Sequence, residues 1–149
     1  MLIMLTVILL GTTGLSGSLH AQTVKPVTIE SSKDFEGTKA AIKKAVSKGG
    51  MMVLAEINQG KILSMTGLRI NAHSFFIGNP NVGKMAFSAD PSVGVVIPVR
   101  VNIYEENGKV KVNYYKPSEL LRYSSNGQVK MIAEKLDGKL DMMLKMIAK

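Results

Sequence analysis

Hydrophobic and polar positions change rhythm several times along this chain, and each change marks an element. Pro26 to Glu30 alternates and is β-branched, which predicts a first strand. Phe35, Thr38, Ile42, Ala45 and Val46 then recur at helical spacing and give one face to bury. Ser31-Ser32-Lys33-Asp34 offers N-caps for that helix, and Asp34 and Glu36 put negative charge at its first turn. Lys43, Lys44 and Lys48 crowd the last turn, where the helix dipole favours cations, and Gly49-Gly50 ends it.

Met51 to Ile57 is an apolar run of strand length, interrupted only by Glu56. Gln59 to Thr66 predicts a short helix closed by Gly67, and Ala72 to Ile77 predicts the next strand. That strand runs into Gly78-Asn79-Pro80-Asn81-Val82-Gly83, a loop of turn formers, with a short helix expected around Lys84 to Ala89 before Pro91.

A hairpin is the clearest local signal. Val99, Val101 and Ile103 alternate with Arg100, Asn102 and Tyr104; after Asn107-Gly108, Val110, Val112 and Tyr114 alternate with Lys111, Asn113 and Tyr115. A type I′ turn needs φ > 0 at both central residues, which Asn-Gly supplies. A two-residue turn would set Ile103 against Val112 and Val101 against Tyr114 on the core side. Asn102 would then face Asn113, and Arg100 would face Tyr115, on the other.

Pro117 stops the second hairpin strand, Ser118 can cap a short helix through Arg122, and Ser124 to Gly127 breaks the chain again. From Gln128 to Lys149 runs a long helix with Val129, Ile132, Leu136, Leu140, Met143 and Ile147 in one stripe. The order β-α-β-α-β-α-β-β-α-α predicts an α/β protein. Its architecture would be a single mixed sheet with packed helices, a hairpin in the C-terminal half and a long C-terminal helix.

The N-terminus reads as an address. Met1 to Leu10 is apolar, small polar residues follow, and Leu19-His20-Ala21 fits a cleavage site. The apolar run is shorter than the roughly 20 residues that span a bilayer. The expectation is therefore an exported protein, periplasmic or secreted. Residues 1–21 would be a signal peptide, 22–27 an arm, 28–123 one domain, and 128–149 a helix appended to it.

Composition then narrows the chemistry. The chain has 149 residues, 46% of them apolar, enough for one domain with a real core. Cysteine is absent, which excludes a thiolate nucleophile and Cys-ligated zinc. Cleavage would remove His20 and leave His73 as the one imidazole, so a site of several His is excluded within one chain. No metal or other cofactor is expected. The net charge of +8 suits anionic partners, yet the lysines are spread along the chain and interleaved with acids. They read first as a solvated surface, with an anionic membrane surface as an alternative, and export argues against nucleic acid.

Several strings occur in a telling order: Phe35-Glu36-Gly37-Thr38, Gly49-Gly50, Leu54-Ala55-Glu56-Ile57, Ile77-Gly78-Asn79-Pro80, Ile97-Pro98-Val99-Arg100-Val101 and Tyr114-Tyr115-Lys116-Pro117. In this series the chain resembles the DUF302 family, a bacterial and archaeal domain of unknown function, over about Thr28 to Leu121. The resemblance implies a compact α/β domain, often a homodimer, with no established activity or cofactor. It also implies a departure: Asn58-Gln59-Gly60 stands where many members carry Asp-His-Ala.

Candidate sites follow. Glu56 in an apolar strand could serve as a general base if burial raised its pKa, or simply hydrogen-bond. His73 has the same two readings, catalytic or packed. Asn79 opens a loop whose amide groups could bind an anion, although the spacing is not that of a P-loop. The polar hairpin face, with Arg100, Asn102, Tyr104, Lys111, Asn113 and Tyr115, could be a platform for a small anionic or aromatic ligand, and is also what a solvated sheet face looks like. Met142, Met143 and Met146 have the softness of copper(I) ligands but suit packing better. The leading expectation is a non-enzymatic envelope protein that binds a small ligand or partner as a homodimer. The alternatives are an enzyme using Glu56, His73 or Arg100, and a peripheral binder of anionic lipid.

Overall fold

A computed structural model describes residues 23–148. The proposed signal peptide, 1–21, lies outside the described residues. The helix expected after Ser31 is α1, Phe35–Lys48. Asp34 caps it by accepting from the Gly37 amide at 2.7 Å, and Gly50, at φ 67°, turns the chain out. Around α1 stand β1 (Val27–Glu30) and β2 (Met52–Ile57). Next come α2 (Gln59–Ser64), β3 (Ala72–Gly78), α3 (Pro80–Ala89) and a 3-10 turn, Pro91–Val95. The hairpin strands are β4 (Val99–Glu106) and β5 (Lys109–Tyr114), followed by α4 (Pro117–Leu120) and α5 (Gly127–Ile147).

The five strands form one sheet in the order β1-β5-β4-β3-β2. Its pairings are antiparallel throughout rather than mixed. The β-α-β opening does give two strands of the same direction, β1 and β2, but the α1 crossover carries the chain from one edge to the other. Three strands fill the gap, so the two never pair. The hairpin is as the pattern predicts: Asn107 and Gly108 sit at φ 53° and 73°, and Asn102 faces Asn113 while Ile103 faces Val112.

One face of the sheet is apolar and the other polar. Phe75, Ile77, Val99, Val101, Ile103, Val110 and Val112 are buried beneath α1 and α5. The expected α5 stripe supplies Val129, Ile132, Leu136, Leu140, Met143 and Ile147 to that core, joined by Ala133 and Leu144. Each large aliphatic buried there contributes roughly 1.5–3 kcal/mol. The helix read from sequence as an appendage is thus half of the helical layer.

Two local details matter later. β2 carries a bulge at Leu54: Val53 pairs with Ile77, but Ala55 pairs with Phe76 and Glu56 with Phe75. Val53 and Glu56 would face opposite ways in a regular strand, and the extra residue turns both toward the helices. The run expected as a loop, Gly78 to Gly83, is largely the first turn of α3. Asn79 caps it, accepting from the Asn81 and Val82 amides, and Pro80 takes the first helical position.

Candidate functional site

The polar face of the sheet carries a cleft of about 540 Å³ where β4 begins and β5 ends. Its floor is Phe76 from β3, Arg100 and Asn102 from β4, Asn113 from β5, and Tyr115 just after it. Strand alternation puts these side chains there, because their neighbours Phe75, Val99, Val101, Val112 and Tyr114 take the core side. Val95, Val96 and Pro98 form one wall, with Leu120 of α4 and Pro26 ahead of β1 at other edges.

The floor is ordered by a hydrogen-bond row across three strands. Ser74, Asn102 and Asn113 stand in register, with Thr28 opposite Asn113 on β1. Arg100 Nε donates to Ser74 Oγ at 3.0 Å, and Ser74 Oγ donates to Asn102 Oδ1 at 3.2 Å. Asn102 Nδ2 then donates to Asn113 Oδ1 at 3.2 Å. Ser74 Oγ accepts from one neighbour and donates to the next, and Asn102 accepts through Oδ1 while donating through Nδ2. The row therefore fixes the guanidinium and both amides in orientation. Ser74, wholly buried under this face, is the anchor.

Among the described residues, Arg100 is the only charged side chain lining the cleft. A guanidinium has five N–H donors, and Ser74 takes the Nε one. Among the described residues no carboxylate pairs with it. Its terminal nitrogens are left beside the faces of an apolar and aromatic cleft, an arrangement suited to a carboxylate or phosphate oxygen.

The cleft wall is braced from outside. Asp90 accepts from the Ser92 amide at 2.9 Å and the Ser92 hydroxyl at 2.6 Å, and Ser124 Oγ donates to it at 3.0 Å. The two Ser92 bonds come first in holding the Asp90 carboxyl below the usual range. Tyr123 Oη donates to the Ser92 carbonyl, and Asn126 Nδ2 to that of Ala89. The turn bearing Val95 is therefore held at its start by side chains from the segment after α4.

Glu56 and His73 meet, but on the opposite, helix-covered face. His73 Nε2 lies 3.1 Å from Glu56 Oε2, and Lys43 of α1 reaches Glu56 Oε1 at 2.8 Å. The Lys43 bond is the chief cause holding the Glu56 carboxyl below its ordinary value; partial burial opposes it and His73 assists it. An ionised carboxylate only accepts, so His73 Nε2 is the donor in this contact. The ring is 5% exposed, rests 4.8 Å from the Phe75 ring, and leaves Nδ1 buried without a partner, as Gln59 Oε1 is.

The remaining sequence candidates separate. Asn79 spends its oxygen capping α3 and its Nδ2 on the Gly50 carbonyl at 2.9 Å. Tyr104 lies along β4 beyond Asn102, beside Lys111, which bonds Glu106, and outside the cleft. Met143 is core, while Met142 and Met146 point outward. Among the described residues no group of three or more His, Cys, Asp or Glu could hold a metal ion. Arg100, Asn102, Asn113 and Tyr115 are thus the four candidates that share the cleft. Sequence reasoning missed Ser74, Phe76 and the Val95 wall, which reach it only through the pairing of β3 with β4 and the course of the 3-10 turn.

Comparison with known proteins bears on the fold. A sequence model described as "Domain of unknown function DUF302" matches residues 27–147. A comparison with curated proteins gives no match. Among solved structures, the "uncharacterized conserved protein DUF302 from Bacillus stearothermophilus" superposes with a TM-score of 0.76 at 22% identity. The match covers 82% of this chain and 97% of that one. It extends the likeness of sequence to the fold, with α5 inside the matched segment.

Proposed function

The chain belongs to the DUF302 family, and on that footing we propose that it is a binding protein whose open-face cleft holds a small anionic ligand with an apolar or aromatic body. The observation that carries this reading is the Arg100 guanidinium, oriented by Ser74, unmatched by any acid among the described residues and flanked by Phe76 and Tyr115. A carboxylate would take the terminal nitrogens bidentately, the Asn113 amide would offer a further donor, and the aromatic rings would cover the rest. Binding rather than catalysis is favoured by the lining itself. Among the described residues it holds neither a carboxylate nor an imidazole to move a proton, and Glu56 and His73 lie across the sheet.

Titration calorimetry with benzoate, phenylacetate and inorganic phosphate tests this. An aromatic carboxylate is expected to bind, with affinity falling at least tenfold in Arg100→Gln, about the 1.5–3 kcal/mol of a charged hydrogen bond. Equal affinity in the variant would remove the cleft as the site.

Export and dimerisation belong to the same reading. The leader-like residues 1–21 support the first. For the second, β2 is an edge strand with Met52, Leu54 and Ile57 exposed, an edge that a second copy would cover. Native mass spectrometry of protein recovered from the cell envelope tests both at once. The expected species begins at Gln22 and has twice the chain mass; a monomer retaining Met1 would overturn both.

A further inference from the structure

The far side of the molecule carries a different kind of surface. α1 and α5 lie side by side over the sheet, tied by Lys139 Nζ donating to the Gly49 carbonyl at 2.6 Å. Together they hold eight lysines and four acids. Three of the four acids have partners; the fourth, Glu134, is exposed. Glu36 pairs with Lys39, Asp137 accepts from Ser118, and Asp141 accepts from Tyr114. Lys44 and Lys48 of α1, and Lys130, Lys135 and Lys145 of α5, are exposed.

Between these lysines runs an apolar strip. Met131, Met142 and Met146 are 45%, 60% and 43% exposed, and their spacing of eleven and four residues puts them on one line along the outside of α5. By helical periodicity Lys130 and Lys145 lie to one side of that line and Lys135 falls on it, while Lys44 and Lys48 stand on the neighbouring α1. No helix among the described residues is long and apolar enough to cross a membrane, so any membrane contact made by them is peripheral.

We infer that this α1–α5 face docks on an anionic bilayer surface, methionines at the headgroup boundary and lysines on the phosphates. Flexible thioether chains can enter the disordered interface, and lysine stems lie along apolar surface while their ammonium groups reach charge. The charge pattern selects this occupant. A second copy offering the same face would set lysine against lysine. A soluble polyanion would satisfy the lysines but leave the methionine strip in water. The surface lies across the core from the Arg100 cleft, so this inference stands or falls independently of the ligand-binding reading.

The test is co-sedimentation of the full chain with vesicles of phosphatidylcholine alone and of phosphatidylcholine mixed with phosphatidylglycerol, at rising salt. Binding is expected on the mixed vesicles only, falling steeply with salt. Any uncharged attraction from residues 1–21 would act on both vesicle types and cancels in the comparison. Lys44, Lys48, Lys135 and Lys145 together to Gln should lower binding at least about tenfold, since each basic residue near such a surface contributes about 1 kcal/mol. Replacing Met131, Met142 and Met146 by Gln should weaken vesicle binding and leave heparin binding unchanged. Equal binding to both vesicle types, or salt-independent binding, would overturn the inference using the unaltered chain alone. Vesicle binding that survives the methionine changes, matched by equally tight heparin binding, would make the face a polyanion site and overturn the bilayer.

Discussion

The Tyr114 hydroxyl donates to Asp141 Oδ1 at 2.6 Å, joining the last sheet strand to the C-terminal helix. Burial first, and then the neighbouring carboxylate, push the Tyr114 phenol well above its ordinary value of 10.0. Tyr114→Phe should cost about 1.5–3 kcal/mol in urea denaturation, the range for a hydrogen bond to a charged acceptor.

The same bond has a pH signature. A folded pKa raised above the unfolded one gives stability that is complete below pH 10 and declines as pH rises beyond it. Absorbance titration at 295 nm should therefore show one of the chain's four tyrosines ionising only as the protein unfolds. All four ionising together in folded protein would refute this.

At the other side of the core, Glu56→Gln should destabilise at neutral pH by about 1 kcal/mol or less, because the carboxylate is about one-third exposed and solvent screens its pairs. The Glu56 pKa is lowered in the fold, so its contribution is present above its ordinary 4.5 and is lost as pH falls below that. Denaturation curves of the two proteins should converge in acid. A gap that stays constant down to low pH would show that the charge is not what matters.

Two glycines should respond oppositely to alanine. Gly138 lies within α5, and a methyl there meets no neighbour, so Gly138→Ala should stabilise by about 0.5–1 kcal/mol. At Gly60 the added carbon would stand 2.4 Å from the Ile70 carbonyl oxygen, so Gly60→Ala should cost about 1–3 kcal/mol. Thermal melts of both variants check the contrast.

The hairpin turn offers a fourth comparison. Asn107 at φ 53° occupies the left-handed region, which alanine adopts at a cost of about 1–2 kcal/mol. Asn107→Ala should lower stability by that order and Asn107→Gly by less. Equal urea midpoints for all three proteins would count against a strained turn.

Much of this architecture is local physics and was legible in sequence. Asp34 and Gly50 bound α1 because caps act within a turn of their helix. Asn107-Gly108 set the register of β4 on β5 because two positive φ values permit few turns. The α5 stripe was readable because helical periodicity is intrinsic to 3.6 residues per turn. The polar character of Arg100, Asn102 and Tyr115 follows from the same alternation. Tertiary structure decided what depends on distant partners. Which strand lies beside β4, and hence that Ser74 orients Arg100, comes from pairings across 26 residues of sequence. The bulge at Leu54 turns Glu56 toward His73 and away from the cleft, and one inserted residue leaves no periodic trace. Whether Met131 and Met142 are core or surface was settled by which side of α5 the sheet occupies, because a helix carries its pattern but its neighbours choose the face that is buried.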